Sequence, residues 1–139
     1  MIEIKSDKII TPNGLRSGCL YIDNGLIDGF FEKQRTDIAC EERYDFMGKY
    51  VSPGFIDLHT HGAGGYPFIN CTEDDVINAC NFHLKHGTTS IMPTVTAGAF
   101  ETMREAVAKI AAVKRENKAK SNIIGAHLEG PYLSAKQCG

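Results

Sequence analysis

The chain has 139 residues, a formal net charge of -2, 42% hydrophobic and 23% charged residues, a balance that excludes a disordered or fibrous chain. It offers no basic footprint for nucleic acid and no cationic face for a membrane surface, and no apolar run approaches the ~18 residues that span a bilayer. The alternating first ten residues lack a signal-peptide core, and the five cysteines (Cys19, Cys40, Cys71, Cys80, Cys138) are odd in number and without C-x-x-C spacing, so reduced thiols and a cytoplasmic location are expected.

Residues 1–50 read as a small all-β domain of sandwich type. Residues 1–10 alternate, Thr11-Pro12-Asn13-Gly14 signals a turn, and 20–22 is a second strand. Asp23-Asn24-Gly25 is a hairpin turn, because Asn-Gly supplies the positive φ of a type I′ turn. A third strand returns over 26–31, and a fourth is expected at 43–46.

From Val51 the pattern changes. The apolar run 51–58 predicts a buried strand over 54–61 that ends in His59-Thr60-His61 and a glycine-rich turn, Gly62 to Gly65. Thr72 with Glu73, Asp74 and Asp75 reads as a helix N-cap with acids in the first turn. Apolar positions at helical spacing continue to about Lys85, and Gly87 ends that helix. A second strand is predicted over 88–95 and a second amphipathic helix over 100–118, with Met103, Val107, Ile110, Ala111 and Lys114 along one face. A third buried strand is predicted over 121–129, ending in Gly130-Pro131. The β–α–β–α–β order implies parallel strands joined by right-handed crossovers. The expected fold class is therefore α/β: the first three βα units, residues 51–139, of a (β/α)8 TIM-like barrel. A whole barrel takes about 250 residues, so the chain is expected to be the N-terminal piece of a longer protein.

Side chains alternate along a strand, so His59 and His61 point the same way at its C-terminal end, where two imidazoles can grip one divalent ion. His127 and Glu129 are also two apart. If the strands are parallel, Glu129 joins the same rim, and a carboxylate with two imidazoles suits zinc, iron, manganese or cobalt. His59, His61 and Glu129 are thus the predicted metal ligands, for one or two ions. Asp57, two residues before His59, is expected on the same side and one layer deeper, either behind the ligands or in a buried ion pair. His127 is expected to pack behind the ligands or to line the pocket. His83 and His86, at the end of the first helix, suit packing and capping. Thr94 and Thr96 stand where a second strand end could line the pocket.

The stretch from Pro53 to Gly62 resembles the first barrel strand of the amidohydrolase superfamily, and His86-Gly87-Thr88-Thr89-Ser90 fits as well. The run Gly125-Ala126-His127-Leu128-Glu129-Gly130-Pro131-Tyr132-Leu133, followed by Lys136-Gln137-Cys138-Gly139, resembles the N-acetylglucosamine-6-phosphate deacetylases within it. That resemblance implies hydrolysis of N-acetylglucosamine 6-phosphate to glucosamine 6-phosphate and acetate by metal-activated water. It implies Glu129 as a metal ligand and a second ion where a His59–His61 pair is present. It also places the general base and two further histidine ligands beyond Gly139, so no catalytic base is expected within this chain and the chain alone is expected to be inactive. The expected partner is a small amino-sugar phosphate, with neither nucleic acid nor membrane, and the full-length protein is expected to be a homo-oligomer, a dimer. Two alternatives remain at this point. One is another hydrolase of the superfamily, dihydroorotase-like or adenine-deaminase-like, which Glu129-Gly130-Pro131 disfavours because many of those use a lysine as bridging ligand. The other is an inactive truncated product.

Overall fold

A computed structural model describes residues 1–136, and the chain divides at Pro53 into two units, Met1–Pro53 and Gly54–Gly139. The last part of the second motif, Gln137, Cys138 and Gly139, lies outside the described residues.

The first unit is one mixed sheet. Strands β1 (Ile2–Thr11) and β2 (Gly14–Asp23) pair antiparallel through a two-residue turn, with Thr11 opposite Gly14. That turn carries pairing straight into residues 14–19, so β2 begins six residues before the predicted strand at 20–22. Asn24 and Gly25, both at positive φ (49° and 79°), turn the chain into β3 (Leu26–Phe31), as the Asn-Gly pair requires. Strands β4 (Glu42–Asp45) and β5 (Tyr50–Val51) both pair parallel to β1, at its beginning and near its end. All five strands therefore enter a single sheet. Glu3 is buried in it, accepting hydrogen bonds from the Tyr21 hydroxyl (2.6 Å) and the Gln34 amide (2.7 Å).

In the second unit β6 (Phe55–Thr60) is followed by a small hairpin, β7 (Gly62–Ala63) and β8 (Tyr66–Pro67). Gly64 and Gly65, at φ 62° and 89°, form its two-residue turn, as the glycine-rich stretch suggested. Then come α1 (Glu73–Lys85), β9 (Thr88–Val95), α2 (Phe100–Arg115), β10 (Asn122–Ile123) and β11 (His127–Leu128). Strands β6, β10 and β11 all pair parallel to β9. The predicted third strand is split into β10 and β11 around Gly125, which has no side chain to pack and weakens a strand. Its course is kept by two backbone bonds, Ile124 N–H to Ile91 O and Glu129 N–H to Val95 O, both 3.0 Å.

Both helices begin and end for identifiable reasons. Thr72 caps α1 with a reciprocal box: its hydroxyl accepts from Asp75 N–H (3.1 Å), and the Asp75 carboxylate accepts from Thr72 N–H (2.7 Å). The Thr72 N–H, and after it the Thr72 hydroxyl, which donates to the same carboxylate oxygen at 2.7 Å, hold the Asp75 carboxyl below its usual range. Gly87, at φ 95°, closes the other end with its N–H on Leu84 O. Helix α2 stops at Arg115, three residues before the predicted Lys118. Asn117 takes the left-handed conformation (φ 51°), and Lys118 N–H returns to Val113 O while Asn117 N–H returns to Lys114 O. The core side of α2 is Met103, Ala106, Ile110 and Val113. Lys114, predicted on that face, instead donates its ammonium to Ile124 O at 2.7 Å.

The core gathers Val76, Ala79 and Cys80 of α1, Ile91 and Val95 of β9 and the α2 face. Cys19, Cys71 and Cys80 are buried and unpaired, and burial pushes the Cys80 thiol up to about 11. The outer side of β6 remains open: Phe55 and Ile56 are 66% and 65% exposed. No described helix is long and apolar enough to cross a membrane.

Two substitutions test this account by urea unfolding. Thr72→Ala removes one half of the α1 cap and is expected to cost about 1 kcal/mol. Gly130 sits at φ 99° with an added Cβ only 2.7 Å from Ala97 Cβ, so Gly130→Ala is expected to destabilise by more than about 1 kcal/mol. An unchanged unfolding midpoint in either variant would contradict the local geometry.

Candidate metal centre

Parallel pairing with β9 decides what meets at the strand ends. His127 lies opposite Thr94 and Leu128 opposite Val95, and the Glu129 N–H continues the ladder to Val95 O. On β6 the ladder is interrupted. Asp57 pairs with Ile91 and Thr60 with Pro93, so β6 spends one more residue than β9 over the same length, a β-bulge. The bulge is closed by the Asp57 carboxylate, which accepts from His59 N–H at 3.1 Å, and by Thr60 N–H, which donates to Thr94 Oγ1 at 3.1 Å.

Beyond the bulge His59 and His61 share a side. Their Nε2 atoms are 3.2 Å apart, and Glu129 Oε2 lies 3.4 Å from the first and 3.2 Å from the second. Oε2 is buried and makes no hydrogen bond. Two imidazole nitrogens and a carboxylate oxygen, each a group able to ligate a metal, thus face one another. Bonds of about 2.0–2.1 Å to a tetrahedral ion would set neighbouring ligand atoms about 3.3 Å apart, which the observed triangle matches. Two imidazoles and a carboxylate are also the donor types that borderline divalent metals take. His59, His61 and Glu129 are the candidate ligands among the described residues. The histidines are half exposed, so the cluster opens to solvent.

The other predicted residues divide. The His127 ring lies 4.8 Å from the His59 ring, and its Nδ1 is 3.3 Å from Thr94 Oγ1. Asp57 is not one of the three gathered donors; it stands next to a candidate ligand, with its carboxylate accepting from His59 N–H. Its second oxygen lies 3.9 Å from His83 Nδ1, and His83 Nε2 is 3.2 Å from Thr60 Oγ1, so both β6 residues flanking the bulge meet α1 through one imidazole. His83 therefore braces the bulge, beyond the packing role its helical position suggested. His86 is the C-cap of α1 with its ring 5.0 Å from Phe82. Thr94, read as a pocket-lining group, is 1% exposed and lies beneath the cluster, bonded to both flanking strands. The available signal for Thr94 was a hydroxyl at the C-terminal end of a strand otherwise buried.

Residues 50–136 match the model of the amidohydrolase family. The human N-acetylglucosamine-6-phosphate deacetylase is 35% identical over 113 residues, covering 79% of this chain and 27% of the relative. The deacetylase of Caenorhabditis elegans is 29% identical across the whole chain and 35% of its own length. The chain thus spans about a quarter to a third of the curated relatives it matches. Among solved structures, N-acetyl-D-glucosamine-6-phosphate deacetylase from Mycobacterium smegmatis superposes with a TM-score of 0.83 at 28% identity, over all of this chain and 38% of that one. A mutant of the same bacterial enzyme was solved in complex with N-acetyl-D-glucosamine-6-phosphate. With the family model matching most of its length and the strand-end histidines and carboxylate gathered at one point, this chain belongs to the amidohydrolase family.

Proposed function

We propose that the chain carries part of the catalytic centre of a deacetylase acting on N-acetylglucosamine 6-phosphate, releasing acetate and glucosamine 6-phosphate. The observation that carries the reading is the buried, unbonded Glu129 Oε2 held 3.2–3.4 Å from two imidazole nitrogens. The similarity to deacetylases across the chain supports the substrate. In this reading β6, β9 and the β10–β11 pair are the first three strands of a (β/α)8 barrel, whose reactive groups gather at the C-terminal ends of its strands. The unpaired cysteines suit a reducing compartment such as the cytoplasm.

His59, His61 and Glu129 would hold a divalent ion, zinc, iron, manganese or cobalt. Such an ion supplies a Lewis acid that polarises a carbonyl and makes bound water more acidic. The chain's own residues orient that chemistry. The β6 bulge aims the two imidazoles, and the Glu129–Val95 backbone bond fixes the carboxylate opposite them. Gly130, with its backbone against Ala97, turns the chain away immediately after the ligand. The half-exposed histidines leave the substrate's acetamide group a route to the cluster.

Two measurements test the reading. The 139-residue chain is expected to take up zinc, followed by competition with a chromophoric chelator, and Glu129→Gln to lower that affinity by more than about 100-fold. A wild-type chain that binds no zinc would remove the metal reading. For the substrate, residues 1–136 are exchanged for the matching segment of the Mycobacterium smegmatis deacetylase. The chimera is expected to release acetate from N-acetylglucosamine 6-phosphate, and Glu129→Gln to abolish it. A folded, metal-loaded chimera without that activity would overturn the substrate assignment.

A further inference from the structure

We infer that the Thr94 hydroxyl locks His127 as the tautomer protonated at Nε2, which makes His127 a hydrogen-bond donor to the ligand in the site rather than a metal ligand. The argument is one of donor counting at a buried atom. Thr94 is 1% exposed, so its hydroxyl must find its partners inside the protein. A hydroxyl has one proton to give and lone pairs to receive. Thr60 N–H can only donate, and at 3.1 Å it uses Thr94 Oγ1 as its acceptor. The hydroxyl proton then needs an acceptor of its own, and the one bonded to Thr94 Oγ1 among the described residues is His127 Nδ1, at 3.3 Å. Nδ1 must therefore carry a lone pair. In a neutral imidazole the proton then resides on Nε2.

Placement gives that proton a use. His127 is on β11, two residues before Glu129, with its ring 4.8 Å from that of His59. An N–H held beside the cluster, with its ring fixed from behind, suits a hydrogen bond to an oxygen acceptor of the ligand. The proposed deacetylase reading supplies only the identity of that oxygen, the carbonyl of an N-acetyl group; the tautomer and the donor role rest on Thr94. A preorganised donor of this kind favours negative charge developing on that oxygen. The same assignment makes Thr94 a positioning residue, since its one hydroxyl ties the β6 bulge to the His127 ring.

The test reads the tautomer directly, without metal or substrate. Long-range proton–nitrogen NMR spectra of the chain labelled with nitrogen-15 histidine are recorded at pH 8, with the His127 signals assigned by their loss in His127→Gln. The expected result is His127 protonated at Nε2 in the wild type and in Thr94→Ser, and a mixture of tautomers in Thr94→Val. Val113→Ala, a core change away from the strand ends, controls for lost stability and is expected to leave the His127 pattern unchanged. A wild-type His127 protonated at Nδ1, or in exchange between tautomers, overturns the proposal, as does a Thr94→Val chain with the wild-type pattern. Zinc titration then separates donor from ligand: His127→Gln is expected to keep zinc affinity within about 3-fold, and a loss of about 100-fold or more would make His127 a ligand and overturn its role as donor. A wild type that binds no zinc would end the metal reading alone, with the tautomer still decided by NMR.

Discussion

A single backbone bond, Glu129 N–H to Val95 O, holds the carboxylate where it meets the two histidines. It is the last rung of the parallel pairing between β11 and β9, and Gly130, at φ 99°, turns the chain immediately after it. In a parallel sheet all strands point the same way, so their C-terminal ends form one rim. Residues far apart in sequence, here 59, 61 and 129, can then share a point in space. The hydrophobic core secures that rim by packing α1 and α2 against β9, the strand to which β6, β10 and β11 are all paired.

The cluster runs against folding stability. A buried acceptor without a donor costs about 1–3 kcal/mol. Glu129 Oε2 is such an atom, buried without a hydrogen bond beside two imidazole nitrogens at 3.2–3.4 Å. The protein tolerates the arrangement because neighbouring groups over-determine it. Asp57 and Thr94 take the backbone N–H groups that the β6 bulge removes from the ladder, and His83 braces the bulge from α1. An unsatisfied polar atom beside well-satisfied scaffolding is the pattern expected of a site built to bind something.

Apolar surface left open around the same sheet points in a consistent direction. Phe55 and Ile56 stand largely exposed on β6, while Leu128 and Pro131 border an apolar groove with Phe100, Met103 and Val107 of α2. These side chains have the composition of core residues. In the larger structures that the chain superposes on, it occupies little more than a third of the length.

Much of this was legible in the sequence because it rests on local rules. The Asn24-Gly25 turn, the Thr72 cap, the Gly87 stop and the β–α–β order follow from backbone preferences and periodicity that act over a few residues. The convergence of His59, His61 and Glu129 was also accessible, since strand alternation and parallel direction suffice to place them. The β6 bulge was not legible for a specific reason: alternation assumes an unbroken ladder, and the bulge is sealed by Thr94, more than thirty residues away. The single sheet of residues 1–53, the split third strand and the roles of His83 and Thr94 were likewise settled by partners distant along the chain. Sequence determined which residues could bear the chemistry and on which strand ends they stand. Tertiary structure decided their register and their neighbours, because hydrogen bonds across strands are made between residues that no local pattern brings together.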